Sequence, residues 1–394
     1  MKTAEFINSK GKSFKDWLAK NTDAEQIILR GKVNNDKWEQ FQGLTSLVGC
    51  TLEFSQLEIS YKQHDYMPVS AILEDLREDI YWDKGPIPIV VALVSNKGLA
   101  ERAVIYEDYI LSENGKSLLY IFTKKKELDL SSLSFETIGR FACYNNSNLQ
   151  SIIFPQSLKT IGDYAFADCC QLEKVTFPQH MERLGRNCFQ STELTSVEVP
   201  EGIKEIPLEC FEYAPIKDIK LPSTLRTLKY RAFTFYYEEG VEVHIPEGVV
   251  SIESESLLGV RKVYLPSTLR KIDDDFYYDS IVETGEECVP FIVVNPDNPY
   301  FTSDRGQLHY VRTLIVRFKY TADPTPTCQI VSLSPPEWRQ FYGLEDANKR
   351  LAWMKNHLQL SSEHRIREMW WIPLSNQDIL TVNDSVLANE QAFT

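Results

Sequence analysis

Long hydrophobic runs are missing from this chain. The longest apolar stretch, Ile-Pro-Ile-Val-Val-Ala-Leu-Val at 87–94, is far below the ~20 residues that a helix needs to cross a bilayer; it reads as a buried strand. Positive charge is also short: 42 Lys and Arg stand against 56 Asp and Glu, a formal net charge of −14. That balance argues against nucleic acid or an anionic membrane as partner. There are six histidines, His64, His180, His244, His309, His357 and His364, and they are scattered. The eight cysteines contain no Cys-x-x-Cys pair, and no histidine is spaced for zinc, so neither a metal centre nor a cofactor is expected. A Gly-x-Ser-x-Gly elbow, a Walker loop and a His-Glu-x-x-His pair are all absent. An enzyme would have to place its site in the segment 60–108 or near the C-terminus, and neither shows a nucleophile with its base. The first 21 residues have no apolar core of a signal peptide. There Ser13, with Asp16 three positions later, reads as the cap of a helix at 13–20 presenting Phe14, Trp17 and Leu18.

What is present is periodicity. Ile138, Ile161, Leu184, Ile206, Leu228, Ile252 and Ile272 form a column with spacings of 23, 23, 22, 22, 24 and 20 residues. Five residues after each stands a second column, Cys143, Phe166, Phe189, Phe211, Phe233, Leu257 and Tyr277. Prolines 155, 178, 200, 222, 246 and 266 form a third, each preceded by alternating apolar residues such as Val197/Val199 and Ile219/Leu221, a strand pattern. Length alone would suggest two to three domains, but a period of 20 to 24 residues with fixed apolar columns is the mark of a solenoid. With strands about 4.8 Å apart, the seven or so coils would make a rod roughly 30 Å long. Proline ends each strand, and Pro-Glu-Gly at 200–202 and 246–248 and Pro-Ser-Thr-Leu at 222–225 and 266–269 are the turns that follow.

Ile-Gly-Asp-Tyr-Ala-Phe-Ala-Asp-Cys-Cys-Gln-Leu-Glu-Lys-Val-Thr-Phe-Pro, 161–178, resembles a repeat of the BspA-type leucine-rich repeat family. The likeness is close over 138–178 and degrades at Ile252 and Ile272. Segments 109–122 and 295–318 resemble the hairpin-bearing units of such arrays, with Asn114-Gly115 and Arg305-Gly306 at the tight turns; 26–59 resembles the opening unit. The resemblance implies an α+β repeat solenoid, a right-handed leucine-rich-repeat coil with short parallel strands, capped at both ends. It divides the chain into an N-terminal cap and opening unit (1–60), an insertion with helix, buried strand and hairpin (61–125), the repeat array (126–290), a hairpin-bearing variant repeat (291–330) and a C-terminal helical cap (331–394). In that cap, Phe341, Leu344, Ala347, Leu351, Met354 and Leu358 recur at helical steps. Residues 363–371 suggest a second helix or a turn, and Trp338, Trp353, Trp370 and Trp371 are expected to bury against the last coil or to form an exposed patch.

Cys169 holds the family's cysteine position, and Cys188 and Cys210 take the small-residue slot filled by Ala165 and Ala232. All read as reduced core thiols; a Cys188–Cys210 disulfide is the alternative, since the two sit one coil apart. Asp273, Asp274, Asp275 and Asp279 could hold calcium but lack the spacing of a calcium loop, and a solvated acidic turn is preferred. Between the buried residues of each strand one points outward: Ile153, Thr176, Glu198, Lys220, His244 and Tyr264. A second ladder runs Thr160, Arg183, Glu205, Thr227, Ser251 and Lys271. Both suit either an irregular partner or plain solvent. Phe235, Tyr236, Tyr237, Tyr264 and Tyr278 are candidate surface aromatics, so the candidate binding set is Glu198, Lys220, Phe235, Tyr236, Tyr237, His244, Tyr264 and Tyr278. Packing between coils is the competing account of the aromatics. The resemblance implies a non-catalytic scaffold for a protein partner, with adhesion or host interaction at a bacterial surface or after secretion; with no signal peptide read in the sequence, a cytoplasmic member is the other expectation. A glycan-binding surface protein is the alternative.

Overall fold

The structure, a computed structural model, describes residues 2–9, 12–60, 89–235, 240–273, 276, 290–320, 327–333, 337, 340–341, 344, 346–361 and 364–373. It divides into two compact units, one comprising Met1–Glu239 with Glu255–Leu258 and the other Gly240–Ser254 with Gly259–Thr394.

In the first unit parallel pairing begins well before the strongest repeats. Strand Thr3–Ile7 lies parallel to Gln26–Asn34, with Thr3 opposite Gln26, and Gln26–Asn34 lies parallel to Thr51–Glu53, with Gln26 opposite Thr51. Helix Phe14–Leu18 starts where expected, Ser13 accepting the Asp16 N–H at 3.3 Å. Its Phe14 stacks on Phe41, centroids 4.4 Å apart, and both rings are buried with Phe6. Tyr109–Ser112 and Ser117–Ile121 form the expected antiparallel hairpin, turning at Gly115 with φ +70°, and Arg102–Ile105 adds antiparallel to its first strand. Ser117–Ile121 then pairs in parallel with Thr137–Ile138, and that strand with Thr160–Ile161.

The stretch 87–94 departs from expectation. Ile89–Ser95 is an α-helix, buried along its length from Ile89 to Val94. A fully buried segment carries no periodicity to separate helix from strand, and packing within the unit's core decided the outcome. Asn96 ends this helix and clasps the next coil: its side-chain amide donates to the carbonyls of Ala92 (2.8 Å) and Arg140 (2.9 Å), and its Oδ1 accepts the Arg140 N–H (2.8 Å).

From there the coils repeat. A coil has a strand of three or four residues, proline, a turn, a two-residue strand (a single bridge, Arg183 to Thr160, in the coil of Leu184), and a corner that returns through the aromatic column. The columns are in register: Ile152 lies opposite Val175, Ile161 opposite Ile138 and Leu228 opposite Ile206. Phe166, Phe189, Phe211 and Phe233 are fully buried and stacked, with successive centroids 5.3, 5.5 and 5.2 Å apart and ring planes within 5°. The corners use left-handed backbone at non-glycine residues, Tyr164, Asn187, Glu209 and Arg231 at φ 56°, 55°, 52° and 47°. L-residues resist this conformation. Each of the first three donates its N–H to the following coil, to Arg186 O (2.9 Å), Leu208 O (3.0 Å) and Tyr230 O (2.9 Å). Just before the corner, backbones approach so closely that a Cβ on Gly185 would lie 2.4 Å from Asp163 N.

A buried polar ladder runs beside the corners. Asn187 donates to Gln190 (3.1 Å) and Glu209 (2.6 Å), Gln190 donates to Glu212 (2.5 Å), and Arg231 pairs with Glu212 (3.2 Å) and Glu255 (2.6 Å).

In the second unit, Glu242–His244, Lys262–Leu265 and Phe291–Val294 form a three-stranded parallel sheet, and Ser251–Ile252 pairs with Lys271–Ile272. The Arg305-Gly306 turn has both residues at positive φ, 51° and 81°, and joins the antiparallel strands Phe301–Asp304 and Gln307–Tyr320. Helix Ala347–His357 is shorter than the apolar pattern from Phe341 to Leu358, because Asp346 caps it by accepting from Asn348 N (2.6 Å) and Lys349 N (3.3 Å). Met354 is buried there, and Trp353 lies on Phe341. Residues 364–371 form neither helix nor turn: His364–Pro373 is a strand antiparallel to Gln307–Tyr320, with Trp370 opposite Ile315. The tertiary partner supplied by that long strand outweighed any local helical pattern. Trp338 lies outside the described residues. Among the described residues, no helix is long and apolar enough to cross a membrane.

Candidate functional site

The outward ladder points outward as its alternation required. Ile153, Thr176, Glu198, Lys220 and His244 are exposed and Tyr264 is half-buried, whereas Val197 and Val199, on either side of Glu198, are buried. This strand face is interrupted. Glu127–Asp129, Ser151–Ile153 and Lys174–Thr176 form one parallel sheet, and Ser196–Glu198 with Asp218–Lys220 forms another; the two do not join.

A groove of about 520 Å³ covers that seam, lined by outward residues Thr176, Glu198 and Lys220, prolines 178, 200 and 222, and the turn residues Gln179, His180 and Glu201. Each proline ends its strand without an N–H to donate, and the turns that follow are braced from within the array. Glu201 accepts both the N–H and the hydroxyl of Ser223, each at 3.0 Å, and Thr224 accepts the Gly202 N–H at 2.9 Å. The Ser223 N–H, together with its hydroxyl, holds the Glu201 carboxyl below its ordinary pKa. Across the groove Lys220 pairs with Glu198, and that hydrogen bond raises the lysine pKa. The groove thus offers proline and valine walls with one cation, Lys220, and two carboxylates, Glu198 and Glu201, at its floor and rim, and His180 beside them.

The other candidates separate. In the second unit His244 and Tyr264 stack, centroids 4.0 Å apart and planes 6° apart. Tyr264 donates its hydroxyl to Glu242 at 3.3 Å, and Lys262 lies 4.7 Å over its ring. Phe291, which the sequence did not single out, stands 51% exposed on the adjoining strand; its place in the period could have been read from the alternation of Phe291, Ile292, Val293 and Val294. Phe235 is not a surface aromatic: it is 3% exposed, stacks on Phe233 and donates its N–H to Leu258 O. The odd length of that coil hid the extra core position. Tyr236, Tyr237 and Tyr278 lie outside the described residues, as do Asp274, Asp275 and Asp279. Asp273 accepts from Ser254 N (3.2 Å) and pairs with Lys271 (3.2 Å); no cluster that could hold a metal occurs among the described residues. The thiols of Cys50, Cys143, Cys169, Cys188 and Cys210 are buried and free, and Cys170 is exposed and free. Cys188 and Cys210 stand Sγ to Sγ at 3.5 Å without a bond.

Residues 119–235 match the BspA type leucine-rich repeat region in six copies. Solved structures with some likeness include a leucine rich cell surface protein from Faecalibacterium prausnitzii, 16% identical over 43% of this chain and 72% of that one, TM-score 0.27. A leucine rich repeat protein from T. pallidum is 16% identical over 42% of this chain and 77% of that one, TM-score 0.28. The pneumococcal vaccine antigen PcpA is 12% identical over 69% of this chain and 60% of that one, TM-score 0.27. No curated protein matches the chain.

Proposed function

We propose that this β-solenoid, whose residues 119–235 are a BspA-type leucine-rich repeat region, is a non-catalytic scaffold that binds a protein partner on its outward strand face, with adhesion or host contact at a bacterial surface as its setting. The observation that carries the reading is the seam groove, where the strand sheets part and exposed Thr176, His180, Glu198 and Lys220 stand together over buried prolines. Repeat arrays work through such extended surfaces, and a groove of mixed apolar walls and paired charges suits the irregular surface of a protein.

A photo-crosslinking residue placed at Thr176 or Glu198 should trap one protein reproducibly from cells or tissue that the source organism contacts, and Lys220→Glu should abolish the capture. Equal trapping from a control position at Ser131, or capture indifferent to Lys220→Glu, would overturn the reading. The stacked pair His244 and Tyr264 with exposed Phe291 supports the glycan alternative, because flat ring faces suit sugars; a glycan array in which His244→Ala with Tyr264→Ala removes a signal would favour it.

A further inference from the structure

Three arginines converge on one carboxylate in the first unit. Arg140, Asp163 and Arg186 each follow a stacked glycine, Gly139, Gly162 and Gly185, in three successive coils, and Arg183 reaches in from the second outward ladder. Asp163 is 5% exposed. Its Oδ2 lies 3.0 Å from Arg140 Nη2, and its Oδ1 accepts from Arg183 Nη2 (3.2 Å) and from the main-chain N–H of Arg186 (3.2 Å). The Arg186 Nε is 3.7 Å from Oδ2, too far for a hydrogen bond, and this buried atom has no hydrogen-bond partner among the described residues.

A structural ion pair needs one cation for one carboxylate. Here three guanidiniums share Asp163, no other described carboxylate lies within ion-pair distance of any of them, and their side chains remain 45%, 61% and 40% exposed for Arg140, Arg183 and Arg186. Two positive charges are left over, in a chain whose formal charge is −14. The guanidiniums are also held in place, by Asp163 below and, for Arg186, by the Tyr164 ring 5.9 Å away, which itself stacks on Phe141. Held donors lose less freedom when a ligand arrives, and the planar guanidinium fork matches the oxygens of phosphate as well as of carboxylate.

We propose that Arg140, Arg183 and Arg186, positioned by Asp163, form a binding site for a phosphate-type dianion, either the free ion or a monoester, whose two charges match the surplus. The site is separate from the seam groove, and its test needs no protein partner. Titration calorimetry with inorganic phosphate and with O-phosphoserine, at constant ionic strength, should show one saturable site. Binding should weaken at least tenfold in Arg183→Gln and stay unchanged in Lys124→Gln. Phosphoserine binding as tightly as phosphate assigns the site to an esterified group, whereas binding of phosphate alone assigns it to the free ion. In the unaltered protein, phosphate should slow phenylglyoxal modification of Arg183 relative to Arg226. Absence of saturable binding by both probes overturns the proposal, as does equal affinity in Arg183→Gln or equal modification of Arg183 with and without phosphate.

Discussion

The rings of Phe189 and Phe211 lie 5.5 Å apart, centroid to centroid, with their planes 5° from parallel, and both are sealed from solvent. Phe189 is stacked again on Phe166 at 5.3 Å, so its removal opens a hole between two coils at once. Phe→Ala in a packed core costs about 3–5 kcal/mol, against a usual folding stability of roughly 5–15 kcal/mol. Phe189→Ala should therefore lower the denaturation midpoint strongly. Lys220→Ala, on the exposed ladder, should barely move it. Similar shifts from both would refute the division of columns into inward and outward.

Gly185 tests the stacking distance. A methyl group there would sit 2.4 Å from Asp163 N and Gly162 C, main-chain atoms that cannot rotate away. Overpacking of this kind costs roughly 1–3 kcal/mol. Gly185→Ala should destabilise the array by about that amount in urea unfolding, and a neutral result would show that adjacent coils can slide apart.

Asn96 should matter more than an asparagine beyond a helix end normally does. It is 2% exposed and makes three hydrogen bonds, two of them to Arg140. Asn96→Ala leaves buried main-chain groups without partners, at about 1–3 kcal/mol. Amide exchange at Arg140 should accelerate, while that at Phe211, several coils away, should hardly change.

Glu212 gives the pH dependence its sign. Burial, reinforced by the nearby Glu209 carboxylate, raises its pKa above the ordinary 4.5, against the opposing pull of Gln190 and Arg231. The folded state then binds a proton more tightly than the unfolded state does, so this group's contribution is most favourable below pH 4.5 and is lost as pH rises through the raised value. Glu212→Gln should remove that loss. Paired melts of the two proteins should diverge in favour of the variant as pH rises from 4.5, and convergence toward neutral pH would contradict the assignment.

Thiol mapping separates core from surface. Cys170 should label in the native protein, whereas Cys50, Cys143, Cys169, Cys188 and Cys210 should label only on unfolding. Burial, against the opposing pull of the Ile27 backbone, pushes the Cys50 thiol up to about 11, which keeps it protonated and unreactive. Native labelling of Cys188 or Cys210 would mean that the coils open there.

The repeat was legible because its columns are chemically uniform: an isoleucine or leucine, an aromatic and a proline at fixed intervals state both the strand and its end. Both hairpins were legible for the same kind of reason, since Asn114-Gly115 and Arg305-Gly306 are suited to left-handed backbone. Ile89–Ser95 was not, because a segment buried on every side shows no face. His364–Pro373 was misread because its structure comes from pairing with residues some fifty positions earlier, such as Ile315 with Trp370. Glu198 and Lys220 could be placed outward by alternation, but the seam between them and Thr176 follows from a missing pairing that no single residue encodes. The arrangement around Asp163 was not legible because Arg183 stands in a different column from Arg140 and Arg186, and only the folding of the corner brings the columns together.

The left-handed corners carry a consequence for how such a chain can change in length. Tyr164, Asn187 and Glu209 each hand an N–H to the coil that follows, so every coil both receives and supplies the same bond at the same place. Excision of 22 or 23 consecutive residues, such as Ile161 to Arg183, would reconnect one corner to an equivalent one and leave no donor stranded. Excision of half as many would place a strand where a corner belongs and expose every later column. Whole units can thus be gained or lost without breaking the register, whereas the differences in length among the coils fall between the isoleucine column and the next proline, because every proline stands six positions before the column residue that follows it.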